Sequence, residues 1–125
     1  MDNSEFKESF INETREYLEI LNHSLLELEK SPADDKPAEE IFRRVHSLKS
    51  MAAGMGYDQI SDLAHQMETV LARFRSTHEP LPEKAVDALF DGLDLLTSLL
   101  AEVSTDAPKN LDIMPLVQKL SSWAN

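Results

Sequence analysis

Apolar residues recur at intervals of three and four along nearly the whole chain, and this spacing constrains the fold more than any other feature. An α-helix brings residues three and four apart onto one face, whereas a half-buried strand needs alternation with a period of two. No segment shows that alternation, and the sequence has only three glycines. The pattern therefore predicts an all-α protein.

The apolar stripes are separated by polar or proline-containing segments. The helices that they imply cover about residues 3–29, 37–55, 58–76, 82–103 and 112–123. Because short connections favour antiparallel neighbours, we expect an antiparallel up-down four-helix bundle with an additional short C-terminal fifth helix. A chain of 125 residues suits one domain with one core, so residues 1–125 are predicted to form a single domain.

Individual residues mark the expected helix ends. Pro37 suits the first turn of the second helix, Gly54 and Gly56 end it, and Asp58 is suited to cap the third. Near the start of the first helix, Phe6 belongs to an apolar stripe that we expect to be buried.

Charge and composition exclude several classes of protein. The formal net charge of -11 argues against nucleic acid or an anionic membrane surface as a partner, since both require clustered Lys and Arg. No apolar run approaches the roughly 18 residues of a transmembrane helix, and no signal peptide is recognisable. The sequence has no cysteine, which excludes disulfides and thiolate metal sites. We expect a cytoplasmic protein with no direct membrane insertion.

The segment Ile41–Tyr57, IFRRVHSLKSMAAGMGY, combines an apolar stripe with reactive and small residues. Helical spacing predicts that one face is buried and consists of Ile41, Val45, Leu48, Ala52 and Met55. A neighbouring face carries His46, Lys49 and Ser50 one above another and is expected to reach solvent. An imidazole, an ammonium group and a hydroxyl are thus predicted to share one exposed surface.

The third predicted helix carries His65 and Glu68 one turn apart. If this helix packs antiparallel beside the second, Glu68 can meet His46. A carboxylate that accepts a hydrogen bond from one imidazole nitrogen fixes the tautomer and leaves the other nitrogen nucleophilic. Lys49 would offer a cation for phosphate oxygens, and Arg43 and Arg44 either add to it or form ion pairs with Glu39 and Glu40.

These motifs resemble the histidine phosphotransfer (HPt) domain at the N-terminus of chemotaxis kinases of the CheA type. The similar segments are HSLKS at residues 46–50, MGY at 55–57 and HQME at 65–68, and the resemblance extends over nearly the whole chain. It implies that His46 is the phosphoacceptor, that Glu68 orients and activates it, and that Lys49 contacts the phosphoryl group. His65 and Ser50 would flank that group. Ser50 departs from the family pattern, which usually has glycine there.

The resemblance also implies partners. A separate ATP-binding CheA kinase domain would transfer the γ-phosphoryl group to His46, which would pass it to an aspartate of a response regulator such as CheY or CheB. ATP and Mg²⁺ would be used by the kinase domain, with no cofactor and no metal bound by this chain. The chain would then be a monomeric carrier and not an enzyme alone, and the N-terminal module of a longer multidomain kinase.

Other functions remain open at this stage. The chain is alternatively the HPt domain of another phosphorelay, or a helical interaction module without chemistry. A di-iron bundle would require Glu-x-x-His on two helices, and the sequence contains no such motif. A hydrolase or transferase acting alone lacks a recognisable set of nucleophile, base and orienting group.

Overall fold

The structure is a computed structural model that describes residues 3–107 and 110–124. These residues form five α-helices, which are α1 (Asn3–Lys30), α2 (Asp35–Met55), α3 (Asp58–Thr77), α4 (Glu83–Thr105) and α5 (Met114–Ala124). The described ranges contain no strand, and the predicted all-α class is confirmed. None of these five helices is long and apolar enough to cross a membrane.

The first four helices form a closed bundle. Each packs on the next in the chain, and α1 also packs on α4. The connections are short, so successive helices run antiparallel. The fifth helix packs against α3 and α4. It is tied to α3 by Arg73, whose Nη1 donates to the carbonyl of Trp123 at 2.7 Å, and to α4 by an ion pair between Lys119 and Asp91.

The predicted apolar stripes supply the core. On α2, Ile41, Val45, Leu48 and Ala52 are fully buried, and Met55 is half-buried. The stripe of α3 is buried along its length and consists of Ile60, Leu63, Met67, Val70, Leu71 and Phe74. Because the buried faces of α2 and α3 pack against each other, the exposed edges of the two helices lie side by side and form one surface.

Phe6 is an exception, and its predicted burial is wrong because 49% of the residue is exposed. The next residue, Lys7, forms an ion pair with Asp106, which lies just beyond the end of α4. The first turn of α1 therefore lies beside the C-terminal end of α4, and α4 does not extend far enough to cover the Phe6 ring.

The ends of α2 and α3 differ slightly from the expected ones. The second helix begins at Asp35, two residues earlier than expected, because Asp34 caps it by accepting from the backbone N–H of Lys36 at 3.0 Å. Gly56 ends α2 in the left-handed conformation with φ of 77°, whereas Gly54 lies inside the helix. Asp58 is the first residue of α3 and not its cap, which is Tyr57. Its carboxylate lies in the first turn, where negative charge suits the helix dipole.

Candidate functional site

His46 lies on the outer edge of α2, next to α3. Its neighbours Val45 and Leu48 point into the core, and the 3.6-residue period turns the imidazole outward. The side chain is 58% exposed. The predicted exposure of this face is thereby confirmed for His46, and a molecule in solution can reach the ring.

Glu68 on α3 binds two side chains of α2. One carboxylate oxygen, Oε2, contacts Nδ1 of His46, and the other, Oε1, accepts a hydrogen bond from Nζ of Lys49 at 2.7 Å. The Glu68 side chain is only 12% exposed. The structure thus brings together His46, Lys49 and Glu68, the three residues to which the sequence interpretation gave the main roles.

The ionisation of Glu68 follows from these contacts. Burial disfavours the charged carboxylate, but hydrogen bonds from Lys49 and His46 favour it more, and the net effect lowers the pKa of Glu68. At neutral pH the group is therefore a carboxylate, which can accept hydrogen bonds but cannot donate them.

The charge of Glu68 determines the tautomer of His46. Because the carboxylate only accepts, the proton of the neutral imidazole lies on Nδ1. Nε2, on the other side of the ring, then keeps its lone pair. Nε2 is consequently an unprotonated nucleophile on an exposed ring, and the contact of Glu68 with Nδ1 keeps it unprotonated.

Lys49 is half-buried and its ammonium group is bound to Glu68, not extended into solvent. The backbone at this position is also attached to α3, because the hydroxyl of Ser61 donates to the carbonyl of Lys49 at 3.1 Å. Both contacts link the turn of α2 that carries the site to α3.

His65 and Ser50 lie at the border of the same surface and both are exposed. His65 is one turn before Glu68 on α3, and Ser50 is one turn after His46 on α2. Within residues 3–107 and 110–124, neither side chain forms a hydrogen bond or an ion pair.

Arg43 and Arg44 bind a glutamate of their own helix. Arg43 Nη2 and Arg44 Nε donate to the two carboxylate oxygens of Glu40 at 2.6 and 2.9 Å. These hydrogen bonds lower the pKa of Glu40. The guanidinium carbon of Arg44 also lies 5.2 Å from the centroid of the Tyr17 ring. Of the two interpretations left open by the sequence, the geometry favours ion pairs for both arginines.

Phe42, which contacts His46, and Arg75, which contacts Phe42, had no assigned role in the sequence interpretation. The ring of Phe42 stacks on the imidazole, with centroids 6.3 Å apart and planes at 11°. Arg75 of α3 lies over the Phe42 ring and pairs with Glu39. The spacing of four between Phe42 and His46 was a visible signal, whereas the contact with Arg75 depends on how α3 packs.

No three Asp, Glu or His side chains among the described residues are close enough together to hold a metal ion. The groups that this surface does offer are the imidazole of His46 and its two charged neighbours, Lys49 and Glu68. An exposed Nε2 nucleophile beside a lysine suits the acceptance of an electrophilic, anionic group such as a phosphoryl group.

Comparison with known proteins agrees with this geometry. The sequence model of the Hpt domain family matches residues 5–106. The chain belongs to the Hpt domain family. The site described above lies within the matched range, and the fold class and the phosphotransfer function implied by the resemblance are confirmed at the level of the family.

Relatives of this Hpt domain include chemotaxis proteins named CheA. The domain is 36% identical over 113 residues to chemotaxis protein CheA of Listeria monocytogenes and 35% identical over 120 residues to CheA of Bacillus subtilis. These alignments cover 90% and 96% of the domain but only 18% of each relative. The chain thus spans about a fifth of the length of the curated relatives that it matches.

Two solved structures share the fold. The CheA phosphotransferase domain from Thermotoga maritima superimposes with a TM-score of 0.78 at 36% identity, covering 83% of this Hpt domain and 99% of that chain. The solution structure of the histidine phosphotransfer domain of CheA gives a TM-score of 0.88 at 32% identity, covering 99% and 95%. This Hpt domain is therefore homologous to CheA phosphotransfer domains.

Proposed function

We propose that His46 accepts the γ-phosphoryl group of ATP from a CheA kinase domain and passes it to an aspartate of a response regulator. One observation carries the proposal. The exposed imidazole is bound through Nδ1 to an ionised carboxylate, which is bound in turn to a lysine. An ordinary surface histidine has no need of a buried acceptor of this kind.

The first transfer moves the γ-phosphoryl group from ATP to Nε2 of His46. The lone pair of Nε2 forms the bond to the γ-phosphorus, and the bond from that phosphorus to the bridging oxygen breaks. The electron pair leaves with ADP. The proton stays on Nδ1, so the ring becomes cationic, and the carboxylate of Glu68 stabilises this charge. Glu68 thereby orients His46 before transfer and offsets its charge afterwards.

Lys49 has two possible partners during this reaction. In the unphosphorylated domain its ammonium group binds Glu68. A phosphoryl group on Nε2 brings three anionic oxygens to the same edge of α2, one turn from Lys49, and the flexible side chain can then contact them. His65 and Ser50 border the surface that the phosphoryl group would occupy, and we assign them flanking roles.

The kinase domain would supply ATP and Mg²⁺, and the chain itself would bind no cofactor and no metal. The acceptor would be a response regulator such as CheY or CheB. We further propose that this is the N-terminal module of a longer cytoplasmic kinase and that the isolated domain is monomeric; the small share of each CheA relative that the chain spans, 18%, supports a longer protein.

The decisive experiment is phosphorylation with γ-labelled ATP and a CheA kinase domain, followed by addition of a response regulator. We expect label that is labile to acid and stable to alkali, as phosphohistidine is, and its transfer to the regulator. His46→Gln should abolish the label while retaining helical circular dichroism and the melting temperature.

A matched control is available on α1. His23 is also exposed and also contacts a carboxylate, that of Glu27, but its ion pair lies within one helix and includes no lysine. His23→Gln should leave labelling unchanged. Absence of label on the folded wild-type domain, or label that survives in His46→Gln, would overturn the proposal; the former result would favour a non-catalytic interaction module.

A further inference from the structure

The contact with Glu68 restrains only one edge of the His46 ring. A hydrogen bond at Nδ1 fixes that atom but lets the ring tilt about the axis of the bond. The lone pair of Nε2 lies in the ring plane, so a tilt of the plane turns the direction of attack on phosphorus. In-line displacement depends on this alignment. A second contact, on the face of the ring, is needed to fix the plane.

Phe42 provides such a contact. It lies one helical turn before His46, and the two rings are nearly parallel at 11° with centroids 6.3 Å apart, which is an offset stack. The Phe42 side chain is half-buried, and it lines a cavity of about 220 Å³ between α2 and α3. Because this space lies beside it, burial alone does not hold the Phe42 ring in one orientation.

Arg75 restrains Phe42 from α3. Its guanidinium carbon lies 4.8 Å from the centroid of the Phe42 ring, and its Nη2 pairs with Oε1 of Glu39 at 3.2 Å. Glu39 lies on α2, three residues before Phe42. The arginine therefore contacts both the Phe42 ring and the side chain of Glu39 on the same helix, and it limits rotation of the ring into the neighbouring cavity.

We propose that Phe42, restrained by Arg75, is a positioning residue that fixes the plane of the His46 imidazole for phosphoryl transfer. This inference rests on the proposed function, because it concerns the reaction assigned to His46. Phe42 acts through the imidazole ring on which it stacks.

The test compares Phe42→Leu, which removes the aromatic face, with Phe42→Tyr, which keeps it. Motion of the His46 ring is measured in the unphosphorylated domain by ¹³C relaxation at Cε1 and by the exchange of the Nδ1 proton with water. Phosphorylation by a CheA kinase domain is measured over a range of domain concentrations, which separates kcat from KM.

We expect Phe42→Leu to increase ring motion and proton exchange, and to lower kcat by about three- to tenfold with little change in KM. Phe42→Tyr should restore kcat to within about twofold of the wild type, because the stacked ring remains. Arg75→Gln should change the ring dynamics and kcat in the same direction as Phe42→Leu, by a smaller factor. Phe90→Leu removes a half-buried ring from α4, which does not pack on α2, and should leave both measurements unchanged.

Unchanged ring dynamics in Phe42→Leu would overturn the inference, as would an effect confined to KM, which would indicate partner docking. An equal loss in Phe42→Tyr would also overturn it. If Phe42→Leu does not fold, the test uses Arg75→Gln instead, and unchanged dynamics of the His46 ring in that variant would overturn the inference. The relaxation measurement needs no phosphate, so a wild-type domain that accepts no label would contradict the proposed function without deciding the Phe42 contact.

Discussion

Glu68 on α3 binds Nδ1 of His46 on α2, across a separation of 22 positions in the sequence. This pair determines which imidazole nitrogen carries the proton and which is free to react. It forms because the two helices pack antiparallel with their outer edges adjacent.

Replacing Glu68 with glutamine removes the negative charge and keeps the size of the side chain. We expect phosphorylation of His46 to slow by at least about tenfold, because the amide neither selects the Nδ1 tautomer as strongly nor stabilises a cationic ring. The initial rate of labelling from γ-labelled ATP is the measurement. Circular dichroism should be unchanged, and an unaltered rate would remove Glu68 from the mechanism.

Stability should fall in acid because of Glu40 as well as Glu68. Hydrogen bonds from Arg43 and Arg44 lower the pKa of Glu40 below its ordinary value near 4.5. The Glu40 carboxyl therefore takes up a proton more readily in the unfolded chain than in the folded domain. The ionised carboxylate stabilises the folded state above the unfolded pKa, and this stabilisation is lost as the pH falls through the pKa of the folded state. The wild type should melt higher than Glu40→Gln at neutral pH, and this difference should shrink below about pH 4.5.

A double variant tests the cause of that pH dependence. With Arg43 and Arg44 both replaced by glutamine, the carboxyl of Glu40 loses the donors that lower its pKa, and Glu40→Gln in this background should produce a much smaller pH-dependent change. If the difference in melting temperature between the wild type and Glu40→Gln stays constant from neutral to acid pH, the pH dependence cannot be assigned to Glu40.

Ser50 is exposed on α2, and the resemblance noted from the sequence implies glycine at this position. Ser50→Gly should either leave the rate of phosphoryl transfer unchanged or increase it, since the substitution removes a side chain from the surface beside His46. The helix should lose about 0.5 kcal/mol of stability through backbone entropy. Ser98→Gly on the exposed face of α4 controls for that loss. A large fall in the transfer rate would show instead that the hydroxyl takes part.

Thr14 is buried on α1, and its hydroxyl has no hydrogen-bond partner among residues 3–107 and 110–124. Replacing it with valine keeps the shape and removes an unsatisfied polar group. We expect a gain of about 1 kcal/mol in the free energy of unfolding, measured by chemical denaturation. Thr97→Val is the control, because the Thr97 hydroxyl donates to the carbonyl of Leu93 and should give no such gain. Loss of stability in Thr14→Val would be the contrary result.

Gly92 on α4 makes room for Met67 of α3. A Cβ atom at position 92 would lie 2.8 Å from the sulfur of Met67, which is fully buried. Gly92→Ala should therefore force the thioether end of Met67 to shift, and this overpacking should offset most of the gain of up to about 1 kcal/mol in helix propensity, leaving a small net change in the free energy of unfolding. In a Met67→Ala background the same change should stabilise, and a double-mutant cycle measures this coupling. Additive effects would contradict the proposed clash.

The local patterns of the sequence account for most of the fold. The stripes of α2 and α3 that were read from a spacing of three and four are buried except at Met55, which is half-buried, because helical geometry relates sequence position directly to the face of the helix. Phe6 was misassigned because its burial depends on how far α4 extends beside α1, and no local pattern encodes that.

Local periodicity was enough to predict the five helices, most of their buried faces and the exposure of His46 beside Lys49, since all of these follow from the period of a single helix. Which neighbours these side chains have depends on how the helices pack against one another. The tertiary structure placed Glu68 between His46 and Lys49, bound both Arg43 and Arg44 to Glu40, and set Arg75 over Phe42. The contacts between α2 and α3 depend on the register of the two packed helices, which is set by the fit of side chains across the whole core and not by any one segment.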